Sequence, residues 1–264
     1  MSQSSLPKKS LGQHWLEDPV SLQSIVSAAD LTSGGRVLEV GPGTGELTSL
    51  LLDSGVSVDA VELDKSLLPV LRGKFQTEQF RLHHGSILDF DLRSIQPPYK
   101  IVANIPYYLT SHLLRILSES ENAPSRAVLL VQKEVAERVA ASPGKMSILG
   151  VTAQFYWEVT LGSVVPAQHF VPPPKVDSQV VILDRRRQPL FDIDDSAFFR
   201  VVKAGFSARR KMLRSSLAGG LHIPKDKLVS VLVDAGIRPD DRAQALSMES
   251  WADVYYALQK AKLV

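Results

Sequence analysis

The first two thirds of the chain alternate between short apolar runs and segments whose apolar residues recur every three or four positions. The runs at 37–40, 56–62, 81–84, 100–103 and 127–131 predict strands, and the stretches 47–54, 65–75 and 111–118 between them have helical spacing. Such alternation predicts a parallel sheet covered on both faces, because each crossover helix buries its apolar stripe against the strands. Two further runs, 159–165 and 179–183, flank the proline-rich "PAQHFVPPPKVD" and predict a hairpin at the sheet edge. After the polar connector "DRRRQPLFDIDDS" no clear strand follows. Asp195 or Ser196 is placed to cap a helix running through Lys211 or beyond, and 225–235 and 250–260 also have helical spacing. The expected fold class is α/β, an open seven-stranded sheet domain over 1–183 followed by a small all-helical domain over 184–264.

Composition narrows the picture. A chain of 264 residues, 44% hydrophobic and 22% charged, suits a globular protein with a substantial core and excludes a disordered one. It has no cysteine, which excludes a disulfide framework and a thiolate metal site. The N-terminal "MSQSSLPKKS" lacks the apolar core of an export signal, and no apolar run is long enough to span a bilayer, so a cytoplasmic protein without membrane contact is expected. The net charge of +2 conceals an asymmetry: residues 1–183 carry 15 basic and 18 acidic residues, whereas 184–264 carry 15 and 10. The densest stretch, "RVVKAGFSARRKMLR", holds Arg200, Lys203, Arg209, Arg210, Lys211 and Arg214 without an acid. It reads either as a solvated helix face or as a phosphate-binding surface for RNA or DNA.

Candidate chemistry begins at "RVLEVGPGTGELTSLL", which places Gly41, Gly43 and Gly45 between a buried strand and a helix. Glycines there let the backbone turn tightly and approach a ligand beside a positive helix N-terminus. The next strand ends in "VELD", where Glu62 stands in position to accept both hydroxyls of a ribose. Together these predict a nucleoside crevice. A dinucleotide fingerprint wants glycine or alanine where this chain has Glu46, whose charge would repel a pyrophosphate. Gly-x-Gly-x-Gly preceded by Glu39 instead resembles motif I of S-adenosylmethionine-dependent methyltransferases, whose cofactor has no phosphate.

The fourth strand stops at "NIPYYLT". Pro106 forces an extended exit and biases Ile105 away from helix. An adenine exocyclic amine is a poor nucleophile, and an enzyme helps by accepting its hydrogens as nitrogen pyramidalises. The Asn104 side-chain oxygen and the Ile105 carbonyl suit that task, with Pro106 holding the turn and Tyr107 stacking on an extruded base. The motif resembles the Asn/Asp-Pro-Pro-Tyr-like sequence of adenine amino-methyltransferases.

With "KKSLGQHWLED", "VQKEVAERVAASPG", "VPAQHFVPPPKVDSQVV", "FSARRKMLRSSL" and "GIRPDDRAQALSMESWADVYYAL", the chain resembles the ribosomal small-subunit RNA adenine dimethyltransferase family over nearly its whole length. Erythromycin-resistance methyltransferases share the catalytic domain, but "FSARRKMLR" and "RAQALS" resemble the ribosome-biogenesis branch. The resemblance implies S-adenosylmethionine as cofactor and two adjacent adenosines near the 3′ end of 16S rRNA, in the small ribosomal subunit, as substrate. It also implies a monomer. Carried over residue by residue, it implies cofactor contacts at Leu16, Gly41, Glu62 and Asn104, beside the Gly43 of the loop. His14 and Ser86 stand where the family usually has asparagine and aspartate. Phe170 matches the aromatic that sandwiches the target adenine against Tyr107; without the resemblance it reads as a core phenylalanine. Arg209, Arg210, Lys211 and Arg214 are the expected RNA contacts. His83, His84, His112, His169 and His222 show no metal-ligand spacing, so no metal is expected. Two other readings are a ribosome-assembly factor with weak or lost methylation and, disfavoured by Glu46, a nicotinamide oxidoreductase.

Overall fold

The computed structural model describes residues 6–264, so the first five residues of the N-terminal stretch read above lie outside the described residues. The chain forms two compact units, Met1–Ala136 with Glu158–Arg185, and Glu137–Trp157 with Arg186–Val264. In chain order it runs through β1 (Trp15–Leu16), α1 (Pro19–Ala28), β2 (Arg36–Val40), α2 (Glu46–Asp53), β3 (Ser57–Glu62), α3 (Leu68–Lys74) and β4 (Phe80–His84). Then come β5 (Lys100–Asn104), α4 (Thr110–Glu119), β6 (Arg126–Gln132), α5 (Lys133–Val139), α6 (Ile148–Tyr156), β7 (Trp157–Val165), β8 (Phe170–Val171) and β9 (Ser178–Arg185). The last helices are α7 (Asp195–Phe206), α8 (Leu213–Leu221), α9 (Lys225–Asp234) and α10 (Met248–Lys260).

Seven strands form one sheet in the order β4-β3-β2-β5-β6-β9-β7. The first five are parallel and β9 returns antiparallel to β6, which makes the sheet mixed and puts the β7–β9 pair at its edge. Central strands between two helical layers have no solvent face, and so read as continuous apolar runs. Val37, Leu38, Val58, Ala60, Ile101, Val102, Val128 and Leu129 are all buried. Strand order reverses between β2 and β5, the switch point where an open α/β sheet leaves a crevice at its carboxyl edge. This is a Rossmann-like fold.

One pairing has no counterpart in the hydrophobic pattern. β1 and β8 form a separate antiparallel ribbon, with Trp15 opposite Val171 and Leu16 opposite Phe170. It turns part of the proline-rich loop into a brace that fixes the N-terminal segment.

The second unit is helical and aromatic. Phe155 of α6 stacks on Phe198 of α7 at 5.1 Å and 20°, Phe198 meets Tyr255 of α10 edge-on, and the Tyr156 hydroxyl donates to Asp195 at 2.6 Å. These contacts explain why 137–157 folds with the C-terminal helices. Two points correct the sequence reading. The cap of α7 is Asp194, whose carboxylate accepts from the Ala197 N–H at 2.6 Å, one residue before the expected pair. The helix also ends at Phe206 instead of running through Lys211. The Ser207 N–H turns back to Ala204, and the Ala208 carbonyl is taken by the Lys211 N–H and by the Ser216 hydroxyl of α8. Satisfying that carbonyl from another helix lets the chain turn there.

Candidate active site

A cavity opens at the carboxyl edge of the first unit's sheet, lined by the N-terminal segment 11–16, the glycine loop, the ends of β3 and β4, and the turn after β5. His14, Leu16, Gly41, Gly43, Glu62, Ser86, Asn104, Ile105, Pro106 and Tyr107 all line it. Residues as far apart as 14 and 107 in sequence are thus gathered into one place by the switch-point topology.

The glycine loop has the backbone its composition suggests. Gly45, the N-cap of α2, has φ +85°, and a Cβ there would lie 2.5 Å from the Phe75 ring. A Cβ on Gly43 would press on the Trp15 indole at 3.4–3.5 Å. Packing against Phe75 therefore requires glycine at Gly45, and Trp15 leaves little room for a side chain at Gly43. Glu46 at the start of α2 is paired with Lys74 at 2.8 Å, so its charge is partly balanced by a lysine from α3.

Glu62 is buried at the end of β3. One carboxylate oxygen accepts from the Gly43 N–H at 3.2 Å and the other from the Asp64 N–H at 2.7 Å. Each oxygen keeps a lone pair, the requirement for accepting two vicinal hydroxyls. Burial raises its pKa, against the pull of those N–H groups. Asp64 anchors the N-terminal segment: its carboxylate accepts from the Lys8 ammonium at 2.6 Å and Gln13 Nε2 at 3.1 Å. Burial works to raise its pKa, but Lys8, Ser66 and Gln13 together outweigh that and hold it at about 2.

Asn104 closes β5. Its Nδ2 donates to the His14 carbonyl at 3.3 Å, which commits the amide nitrogen and leaves the side-chain oxygen for a ligand. His14 in turn donates from Nδ1 to the Pro172 carbonyl at 2.7 Å and lies over Tyr107, with centroids 6.0 Å apart and planes at 20°. Tyr107 is half-buried and shares a hydrogen bond with Ser178 at 2.8 Å; burial raises its pKa. Ser86 accepts from the Leu88 N–H at 3.1 Å through its hydroxyl, leaving one lone pair.

The structure does not bring every predicted residue together. Phe170 is only 2% exposed, packed in the core with Leu22, Ile25 and Val180, and does not line the cavity. Arg209, Arg210 and Lys211 are exposed in the turn between α7 and α8, while Arg214 pairs with Asp240 at 2.6 Å. Sequence reasoning missed Trp15, which lines the cavity and whose Nε1–H is buried without a hydrogen-bond partner among the described residues. A tryptophan between His14 and Leu16 was the available signal. That unmatched donor, the glycine cradle and the two free lone pairs of Glu62 fit a nucleoside ligand carrying its own acceptors.

Glu39 lies beneath the loop, 1% exposed, accepting from Thr48 Oγ1 at 2.6 Å. Burial raises its pKa from 4.5 to about 8, and nearby Glu62 adds to the shift. The folded state therefore binds more protons than the unfolded state between those values. Stability contributed by Glu39 is full at low pH and falls as pH rises through the window. Glu39→Gln should flatten the decline of Tm between pH 5 and 8 and be the more stable form at pH 8, by on the order of a few kcal/mol. Thermal unfolding across that range checks it; an unchanged slope would show that Glu39 is ionised throughout.

The Rossmann-like sheet, the switch-point cavity and the Asn-Ile-Pro-Tyr turn are those of one class, the Rossmann-like methyltransferases. The family model described as Ribosomal RNA adenine dimethylase matches residues 5–260. A "Ribosomal RNA small subunit methyltransferase A" of Dehalococcoides mccartyi is 44% identical over 249 residues, covering 92% of this chain and 86% of the relative. One from Geobacter sulfurreducens is 40% identical, covering 96% of each chain. Among solved structures, a dimethyladenosine transferase from Plasmodium falciparum aligns with TM-score 0.81 and 25% identity over 94% of this chain and 98% of that one. The 23S rRNA methyltransferase ErmE aligns with TM-score 0.74 and 27% identity, over 93% and 99%. The chain belongs to the ribosomal RNA adenine dimethylase family: it is an rRNA adenine dimethyltransferase and draws on a methyl donor. Among the described residues no helix is long and apolar enough to cross a membrane.

Proposed function

We propose that this chain uses S-adenosylmethionine to dimethylate two adjacent adenosines in the hairpin loop near the 3′ end of 16S rRNA, acting on the small ribosomal subunit during its assembly. The observation that carries the chemistry is the Asn104 amide, its nitrogen bonded to the His14 carbonyl and its oxygen left for the cavity. That oxygen and the Ile105 carbonyl accept the hydrogens of the adenine amine, drawing its lone pair out of the ring as nitrogen pyramidalises. Pro106 keeps the turn extended, and Tyr107, fixed by Ser178, offers its ring to the extruded base. S-adenosylmethionine supplies, when bound, a methyl group on a sulfonium that needs no further activation. Glu62 would hold its ribose, the glycine loop and the 14–16 segment its remaining groups, and Ser86 its adenine amine. Phe170 would have to leave the core to face a base, and the mechanism does not use it.

The role of Ser86 gives a binding prediction. A carboxylate acceptor contributes about 1.5–3 kcal/mol and a hydroxyl about 0.5–1.5 kcal/mol. Ser86→Asp should tighten S-adenosylmethionine by about 1 kcal/mol, roughly fivefold. Ser86→Ala should weaken it by a similar or smaller amount. Calorimetric titration decides; a Ser86→Ala protein that binds like wild type assigns the adenine amine to another acceptor. For the function as a whole, rRNA from cells lacking this protein should carry two unmodified adenosines in that loop, restored by the wild-type gene. A methylation map unchanged by the deletion would refute the proposed substrate.

A further inference from the structure

Tyr107 and Tyr108 are consecutive in a short 3-10 turn, and their side chains have different fates. Tyr107 is half-buried and tied to Ser178, whereas Tyr108 lines the same cavity at its rim and is 61% exposed. The Tyr108 ring nevertheless has a neighbour on the N-terminal segment. The point where Gly12 would carry a Cβ lies 3.6 Å from its Cε1 and 3.7 Å from its Cδ1, so one edge of the ring passes beside Gly12 of the N-terminal segment. No other ring contacts it among the described residues. Gly12 also sits one turn from Lys9, since the Gly12 N–H donates to the Lys9 carbonyl at 3.1 Å. Lys8 is consumed by Asp64, but the exposed Lys9 has no ion pair among the described residues.

We propose that Tyr108 and Lys9 form a second nucleotide subsite at the cavity rim, taking the base and phosphate that adjoin the target adenosine. The inference rests on the RNA-adenine reading of the cavity and adds the neighbour to it. Extruding one base deprives the next of its stacking partner, and that loss opposes entry of the target into the cavity. An exposed aromatic ring at the rim replaces the lost stack for any base, because every base has a π-face. An ammonium one turn away meets the intervening phosphodiester. Because the two substrate adenosines adjoin one another, the same subsite holds the second while the first is modified.

The test uses the full-length protein and small ribosomal subunits lacking the modification. Tyr108→Ala should raise the subunit concentration for half-maximal methylation by about tenfold, the effect of losing one base–aromatic stack. The saturating rate should change far less, and Tyr108→Phe and Tyr108→Trp should stay close to wild type, since a ring suffices. Lys9→Gln should lower the log–log salt dependence of subunit binding by roughly 0.7, one single-strand phosphate. Calorimetric titration with S-adenosylmethionine, unchanged in Tyr108→Ala, verifies an intact fold. Half-saturation unaltered in Tyr108→Ala, or a loss in Tyr108→Phe equal to that in Tyr108→Ala, overturns the subsite while leaving the active-site reading intact. A wild-type protein that neither binds nor methylates these subunits overturns both.

Discussion

Asn104→Ala should lower the single-turnover rate of methyl transfer by roughly a hundredfold or more at saturating cofactor, the effect of deleting one preorganised polar partner of a transition state. The physical basis is specific. The amide nitrogen of Asn104 is bonded to the His14 carbonyl, so its oxygen is held in one orientation before substrate arrives. Alanine removes the acceptor and also leaves that buried-side carbonyl without its donor. Binding to small subunits should largely survive, because the basic turn of the other unit is untouched. A variant that methylates at near wild-type rate would reduce Asn104 to a turn-forming residue.

Reversing Arg209, Arg210 and Lys211 to glutamate should weaken small-subunit binding on the order of a hundredfold and flatten its log–log salt dependence by roughly two to three units, at about 0.7–0.9 per phosphate contact. All three are exposed in the α7–α8 turn. Arg214 is left out because its guanidinium is bonded to Asp240, and replacing it would break that pair as well. Affinity for S-adenosylmethionine should not move. Binding measured at several salt concentrations checks this, and an unaltered slope would refute phosphate contact by the turn.

How much of this was legible in the sequence depended on how local the determining forces were. The five parallel strands were readable because strands buried on both faces must be continuously apolar, and the glycine loop because its tight turn next to Phe75 and Trp15 excludes side chains. The ends of β2, β3, β4 and β5 then placed Gly41, Glu62, Ser86 and Asn104 around one cavity. Longer-range features were hidden. The β1–β8 ribbon is two residues long, too short to show a period. The end of α7 is set in part by a Ser216 hydroxyl from the next helix, and the placement of α6 by aromatic partners more than forty residues onward, Phe198 and Phe199. Phe170 was legible from its residue type as a core phenylalanine, and its 2% exposure agrees with that reading; the role it was assigned at the site came only from the resemblance. Trp15 and Asp64 acquire their roles only when the N-terminal segment crosses the cavity.

The central claim, adenine dimethylation of small-subunit rRNA, is tested most directly by incubating the purified protein with S-adenosylmethionine and small ribosomal subunits that lack the modification, then locating every new methyl group by mass spectrometry. The account predicts two neighbouring N6,N6-dimethyladenosines in the hairpin loop near the 3′ end of 16S rRNA, formed far more slowly by Asn104→Ala. Methyl groups on another nucleotide, on a ring nitrogen or carbon, or on no rRNA at all would contradict it.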